Sequence, residues 1–193
     1  VLAPEGTAAR PKTPVSSNSY AIGLPVPGTG LGSVVPSFDG NRIAVVASAA
    51  GVWPNNGMIA VYNFNRATGV PSTLLAPTNT WGGYSDAAFS PNGKLLYFTS
   101  YLGSVSKLKQ LEIATAQVRD LIAGPWLAVK PGPDGLLYVA PNSATRLHCI
   151  NYPDQFNTSN LNECGLNLNA IPLPAGSSTG PFGDLPNMPL QCS

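Results

Sequence analysis

Short apolar runs, each following a turn-forming dipeptide, recur along most of this chain. Residues 89–100 (FSPNGKLLYFTS) have the pattern of a strand end, a tight turn and a second strand. Similar segments occupy residues 37–48 (SFDGNRIAVVAS) and 131–140 (PGPDGLLYVA). The apolar residues after each turn are alternating or continuous, which is typical of strands buried on one or both faces. The pattern therefore predicts three β-hairpins.

Each hairpin turns at a dipeptide in which glycine follows aspartate or asparagine. Such dipeptides accept the positive φ of hairpin turns, so a structural role is expected for them. The six turn residues are Asp39, Gly40, Asn92, Gly93, Asp134 and Gly135. Their glycines lie 53 and 42 residues apart. Repeats of about 40 to 50 residues with several strands each indicate propeller blades.

These repeats predict an all-β fold, a β-propeller of about three to four four-stranded antiparallel blades. We expect the blades at residues 34–82, 83–126 and 127–193, after a proline-rich extended arm or linker at residues 1–33. A closed propeller usually needs about four blades or more. Three solutions stay open: the arm completes a compact ring, the chain is part of a larger ring, or another chain closes the ring. The second and third are favoured.

Composition narrows the classes of function. Only 10% of the 193 residues are charged, the net charge is +1, and the ten basic residues are scattered. Nucleic-acid binding is therefore not expected, because it needs a clustered basic surface. The apolar runs are too short to cross a bilayer as a helix, so membrane insertion is not expected either. No charged-then-apolar leader stands at the start, which predicts a chain that is either cytosolic or already processed.

The cysteines favour an oxidising compartment. Cys149 and Cys164 lie 15 residues apart in a region with the composition of a loop, and Cys192 is one residue from the end. Without a CxxC pair, a zinc site is not expected. Two interpretations remain, a Cys149–Cys164 disulfide in an exported protein or two buried free thiols. The disulfide is favoured, and it leaves Cys192 free or paired with another chain.

About two thirds of the chain, residues 60–190, resembles a known family. The run GLLYVA after Pro133-Asp134 is followed by INYP, a cysteine and a closing LPNM. This order resembles the C-terminal blades of the propeller region in exported Bacteroidota surface proteins of the gliding-motility-associated and PKD-module type. In that family a GPDGKIYVA-type hairpin precedes VINNPN, a cysteine and GLPNF. Tyr152 stands where asparagine is common, and Met188 stands where an aromatic residue is usual.

The resemblance implies an exported protein at the cell surface or outside the cell, associated with the outer membrane. It implies further blades beyond those in this chain, and partners among the protein chains of a surface assembly, copies of itself included. It transfers no catalytic residue. We therefore expect a non-enzymatic module for protein–protein assembly or adhesion.

Aromatic residues near the loops are candidates for contact with a partner or a glycan. Trp53, Tyr84 and Tyr101 lie in or beside predicted loops, where aromatic side chains can stack on a sugar or anchor an interface. Trp81 and Trp126 precede predicted inner strands and are expected to pack between blades at least as readily.

A metal-dependent lactonase or hydrolase is the alternative function. Asp86 precedes a predicted inner strand, and with Asn142 and Asn55 it would supply oxygen ligands for calcium in a central channel. We expect no cofactor and no metal ligand, and the calcium site is the alternative. His148 and Cys149 are neighbours on a strand and so point to opposite faces, which excludes them as a nucleophile–base pair. His148 is expected to be a surface or half-buried strand residue.

Overall fold

Every regular element in the described parts of the chain is a β-strand. The structure is a computed structural model, and it describes residues 31–48, 57–78, 83–102, 105–124, 126–141, 144–159 and 162–175. The strands are β1 (Leu31–Pro36), β2 (Arg42–Ser48), β3 (Gly57–Asn65), β4 (Val70–Thr78), β5 (Gly83–Phe89), β6 (Leu95–Leu102), β7 (Val105–Glu112), β8 (Gln117–Ala123), β9 (Trp126–Pro131), β10 (Leu137–Pro141), β11 (Arg146–Ile150) and β12 (Leu166–Pro172). No described segment forms a helix that is long and apolar enough to cross a membrane.

The strands form three four-stranded antiparallel sheets: sheet 1 (β1 to β4), sheet 2 (β5 to β8) and sheet 3 (β9 to β12). In each sheet the strands pair in chain order, and the first strands lie side by side, with β5 in contact with both β1 and β9. Sheets that fan out from adjacent first strands are the blades of a propeller. The predicted all-β propeller fold, with four-stranded antiparallel blades, is confirmed. Sheet 1 begins at Leu31 and sheet 3 at Trp126.

Sheet 2 is buried on both faces. The layer between sheets 1 and 2 contains Ala44, Val46, Ile59, Val61, Ala87, Phe89, Leu96, Phe98, Leu111 and Ile113. The layer between sheets 2 and 3 contains Ala88, Leu95, Tyr97, Leu108, Val129, Leu137, Val139, Ile150 and Cys164. Successive strand residues point to opposite faces, so the unbroken apolar run 95–98 supplies both layers. Each of its four residues is at most 2% exposed.

The three turn glycines have left-handed backbones. The φ angles of Gly40, Gly93 and Gly135 are 67°, 68° and 80°. Each glycine N–H donates to the carbonyl oxygen three residues earlier, at 2.9, 2.9 and 3.2 Å. The preceding aspartate or asparagine keeps a negative φ, and its side-chain oxygen accepts the backbone N–H two residues further on, at 2.9 to 3.1 Å. These are β-turns extended by a left-handed glycine.

Two serines complete the first two turns. The hydroxyls of Ser37 and Ser90 donate to the turn aspartate or asparagine, at 2.6 and 2.9 Å. Each also accepts, at 3.0 Å, the N–H of the residue at the start of the next strand. The third turn has Gly132 instead, and a Cβ there would lie 2.4 Å from the ring of Tyr138. The Tyr138 ring therefore takes the space that a serine would need.

The third hairpin is one residue shorter than the others. In sheets 1 and 2, the residue three before the glycine donates its N–H to a carbonyl two residues after the glycine, whereas Gly132 donates to Leu136, one residue after it. The pairing register agrees, since Leu137 occupies the place of Ile43 and Leu96. The glycine alignment of the sequence is therefore wrong by one residue along β10. Aligned by its glycine, β10 would have its side chains on the opposite faces.

The hairpins between the third and fourth strands of sheets 1 and 2 also correspond. Gly69 and Ala116 each end a four-residue turn at positive φ, 72° and 57°. The hydroxyl of the preceding threonine, Thr68 or Thr115, accepts a backbone N–H two residues on, at 3.4 and 3.3 Å. An alanine in the left-handed region costs about 1–2 kcal/mol. Ala116 is therefore a strained residue at a position where the first blade has glycine.

Exchanging the residue types at these two positions should change stability in opposite directions. Ala116→Gly should raise the free energy of unfolding by up to about 1 kcal/mol, because relief of strain exceeds the added entropy of the unfolded chain. Gly69→Ala should lower it by about 1 kcal/mol. Urea denaturation of both variants measures the two changes. Changes of the same sign would contradict the equivalence of the two turns.

Candidate functional site

Asp86 joins the first strands of sheets 2 and 3. Its Oδ2 accepts the N–H of Val129 at 3.0 Å, and its Oδ1 accepts a hydrogen bond from Lys130 Nζ at 2.9 Å. The residue is only 5% exposed. Burial raises the pKa of Asp86, and this effect exceeds the lowering by Lys130 and by the backbone N–H groups. The carboxylate thus fixes one blade against the next.

This arrangement bears on the calcium site of the alternative function. Both carboxylate oxygens of Asp86 are already bonded, one of them to a cation that calcium would have to displace. Asn55 and Asn142 lie outside the described residues. Within the described ranges, no three His, Cys, Asp or Glu residues come close enough together to hold a metal ion.

The long connection between β11 and β12 is bonded to sheet 2 through Gln110, which is fully buried. Gln110 Nε2 donates to Tyr97 Oη at 2.6 Å and to the Gln155 carbonyl at 2.7 Å. Its Oε1 accepts the Asn157 N–H at 2.9 Å. Tyr97 Oη in turn donates to the Pro153 carbonyl at 2.9 Å. Burial raises the pKa of Tyr97 far above its usual range, so this hydroxyl stays protonated and keeps donating.

Asn157 begins an NTS sequence, which matches an N-glycosylation sequon. The residue is only 8% exposed, and its Oδ1 accepts the Cys164 N–H at 2.8 Å. A glycan would be attached to Nδ2, and a side chain this deeply buried leaves little room for one. Asn157 therefore has a structural role here.

Hydrogen bonds join the first hairpin of sheet 1 to that of sheet 2, and the first hairpin of sheet 2 to the connection in sheet 3. The Arg42 guanidinium of sheet 1 donates to the Gly93 carbonyl of sheet 2. The Asn92 N–H of sheet 2 donates to Asp154 Oδ1 of the connection in sheet 3, at 3.0 Å. These bonds cross from blade to blade outside the apolar layers.

A cleft of about 680 Å³ lies beside the connection, at the outer rim of sheets 2 and 3. One wall is β8 from Val118 to Leu121, and the other is formed by polar residues of the connection together with Leu166 and Leu168. β8 is the edge strand of sheet 2, so its outer side pairs with no other described strand. The volume is within the range of ligand pockets, about 300–1,000 Å³.

The charged residues at this cleft differ in whether they form ion pairs. Asp120 forms ion pairs with both Lys107 and Lys109. Burial pushes the pKa of Asp120 upward, but the bonds from the two lysines outweigh it and hold the pKa below its ordinary value. The Arg119 guanidinium lies 5.8 Å from the centre of the Phe156 ring, and it forms no ion pair with a described carboxylate. Arg119 is thus the cation available at the cleft.

Cys149 and Cys164 are both buried free thiols, and the favoured disulfide is not present in the structure. Cys164 packs in the layer between sheets 2 and 3, as does Ile150. Because neighbours on a strand point to opposite faces, Cys149 lies on the other face of sheet 3. The sheet therefore separates the two thiols, and burial raises the pKa of both. Cys192 is outside the described residues.

His148 is more deeply buried than expected, with 6% exposure. Its Nδ1 accepts the N–H of Asn169 at 2.8 Å, where the pairing of β11 with β12 is irregular and Asn169 has a φ of 56°. Burial lowers the pKa of His148, which favours the neutral, accepting form. This hydrogen bond helps to hold β12 in its register beside β11.

Of the three aromatic residues predicted as partner or glycan contacts, two lie in the described part of the chain. Tyr84 and Tyr101 lie at one end of sheet 2 on neighbouring strands, with their backbones opposite Ser100 and Gly83. Trp53 and Trp81 are outside the described residues. Contact with a partner or a glycan stays a prediction for Trp53, Tyr84 and Tyr101.

The first strand of sheet 1 has an exposed apolar residue where the other blades have a buried one. Val34, Ala87 and Val129 each lie six positions before their turn glycine and hold equivalent places in the strand pairing. Ala87 and Val129 are 1% and 0% exposed, whereas Val34 is 64% exposed. On the same face a small cluster around Val45 and Tyr62 is already buried. Among the described residues, Val34 has the largest exposed fraction of any large apolar side chain.

Gln110 and Arg119, which support and line the cleft, differ in how far the sequence marks them. Gln110 shares its strand face with Leu108, so alternation along β7 marks it as a polar residue directed inward. Arg119 has no such signal, because charged residues are common on exposed edge strands.

No family model and no curated protein matches this chain. Among solved structures, it is similar to the β-propeller domain of the Trilobed protease from Pyrococcus furiosus, described as an open velcro topology (14% identity, 63% of this chain, 38% of that chain, TM-score 0.43). It is also similar to the periplasmic gluconolactonase of Pseudomonas aeruginosa (16% identity, 76% of this chain, 46% of that chain, TM-score 0.48). A third similar structure is TolB of Acinetobacter baumannii (20% identity, 64% of this chain, 30% of that chain, TM-score 0.42). The chain spans less than half of each of these proteins. Similarities this distant do not assign a function to the chain. The resemblance to Bacteroidota surface proteins stays a prediction.

Gln110→Met should weaken the attachment of the connection to sheet 2. The substitution leaves buried polar groups unpaired, the Asn157 N–H among them, so the free energy of unfolding should fall by about 2 kcal/mol. Gln117→Met, on exposed β8, is the matched control and should change it by less than about 0.5 kcal/mol. Hydrogen exchange should show a faster Asn157 amide in the first variant only. Equal exchange in the two variants would contradict the role of Gln110.

Both described cysteines should be alkylated without a reductant. In the folded protein, iodoacetamide should react slowly with Cys149 and Cys164, because burial restricts access and raises both thiol pKa values. In urea both should react completely. Peptide mapping by mass spectrometry locates the labels, and a cysteine that reacts only after reduction would contradict the free-thiol state.

Proposed function

We propose that this chain is the propeller module of an exported protein that acts by binding other proteins in a surface or extracellular assembly. The observation that carries the proposal is the exposure of Val34, 64%, at a position that is buried in both other blades. A further sheet packed on β1 would bury this side chain. Burying a valine stabilises by about 1.5 kcal/mol or more, so this surface favours association.

Several features support export and surface location. Only 10% of residues are charged, and a polar uncharged surface is frequent among exported proteins. The resemblance of residues 60–190 to Bacteroidota surface proteins points the same way and adds association with the outer membrane. The partners are other protein chains, copies of this chain included, with glycans as the alternative ligand of Trp53, Tyr84 and Tyr101.

The binding role has more support than the metal-dependent lactonase. The lactonase reading needs oxygen ligands that are free to bind calcium, and Asp86 uses both carboxylate oxygens to join sheets 2 and 3. Its bond to Val129 stabilises the propeller whether or not a reaction takes place.

Photo-cross-linking from the inner strand tests the binding role. A benzophenone amino acid at position 34, introduced into the protein in its native cells, should cross-link to one recurrent partner strand, identified by mass spectrometry. The same amino acid at position 115, in an exposed turn of sheet 2, is the matched control and should give no such product. Equal cross-linking at both positions would overturn the proposal.

The lactonase alternative makes a separate prediction. Hydrolysis of δ-gluconolactone that requires calcium, and that is lost in Asp86→Asn with the fold intact, would favour the enzyme. Under the binding role, added calcium should produce no hydrolysis by either protein. A pH-stat assay, with circular dichroism as the check on folding, measures both.

A further inference from the structure

We infer that the cleft beside β8 binds an extended peptide segment with an acidic side chain, which adds a strand to the free edge of sheet 2. The inference rests on the proposed function, since it names the class of segment that a protein partner would present. It concerns the rim of sheets 2 and 3, whereas the exposed Val34 lies on sheet 1.

The backbone of β8 provides the first element of recognition. β8 ends the strand order of sheet 2, and the pairing of β7 with β8 occupies only its inner side. The cleft of about 680 Å³ separates the outer side from the connection of sheet 3. A strand added about 4.8 Å from β8 would lie in this space and satisfy its outer N–H and C=O groups.

Leucines provide the second element. Leu121, Leu166 and Leu168 line the cleft, and Leu168 is 45% exposed. Side chains of an extended peptide alternate in direction, so every second residue of the added strand would face these leucines. An apolar residue at those positions would bury the exposed part of Leu168.

Charge selects one further position on the leucine-facing side of the added strand, because Arg119 and Leu121 are two residues apart on β8 and both lie on the side of sheet 2 that faces sheet 3. Asp120 is neutralised by Lys107 and Lys109, so the local sum of these three residues and Arg119 is positive. The Arg119 guanidinium lies over the Phe156 ring and has a planar set of donors that matches a carboxylate. A glutamate or aspartate on that side of the peptide, two residues from an apolar one, would therefore pair with Arg119. A second copy of β8 would instead bring like charges together, which disfavours self-association at this edge.

Fluorescence anisotropy with short synthetic peptides tests the inference. The probes are fluorescein-labelled nine-residue peptides in which valine and threonine alternate and valine stands at both ends. The central residue, which is on the same side as the valines, is glutamate, glutamine or lysine. The folded chain should bind the glutamate peptide at least about tenfold more tightly than the lysine peptide, since one charge-assisted bond contributes about that factor. Methylation of alternate backbone nitrogens should abolish binding, because strand addition needs those N–H groups.

Variants assign the charge to Arg119. Arg119→Gln should weaken the glutamate peptide about tenfold and remove its advantage over the glutamine peptide. Arg119→Glu should reverse the preference towards lysine. Arg66→Gln removes the same charge from an exposed turn of sheet 1 and should leave binding unchanged.

Absence of binding by every peptide would overturn the inference, as would an affinity that is insensitive to Arg119. Binding of soluble oligosaccharides in the cleft, with no peptide binding, would also overturn it. These results are distinguishable from failure of the proposed function. Cross-linking at position 34 with no peptide binding would reject the cleft alone, whereas peptide binding without cross-linking would retain the cleft and reject association through β1.

Discussion

The structure depends on the burial of sheet 2 from both sides. Its second strand carries four successive apolar residues, 95–98, and each apolar layer takes two of them. Sheets 1 and 3 each contribute to only one of these two layers, whereas sheet 2 contributes to both. Since β5 contacts the first strand of both neighbours, sheet 2 also sets where the other two begin. A change to this run would therefore act on both interfaces at once.

Apolar packing does not fix the angle between blades, because it has no preferred direction. The bonds that cross between sheets supply that direction. Asp86 ties the inner strands of sheets 2 and 3, Gln110 ties the middle of sheet 2 to the connection of sheet 3, and Arg42 ties the turns of sheets 1 and 2. The cleft at the rim exists because Gln110 and Asn157 hold the connection in place on one side of it.

The architecture was predictable from sequence because propeller blades repeat a local signal. Asn92-Gly93 and its two counterparts identify the first hairpin of each blade, whereas β12, which follows the long connection, has no comparable turn before it. The contacts between blades were not predictable, because they join residues far apart in sequence. Asp86 finds Val129 and Lys130 only after the sheets have packed, and the spacing of Cys149 and Cys164 does not reveal that a sheet separates them.

The single-residue difference in the third hairpin also restricts how the blades could be exchanged. A chimera cut at the equivalent glycines would move the third blade's β10 out of phase and turn Leu137 and Val139 from the shared layer towards the opposite surface. A cut placed by backbone pairing, with Leu137 joined where Leu96 stands, would preserve the layers. Blades of this fold should therefore be recombined at positions that match in strand pairing, because the glycine motif locates those positions only to within one residue.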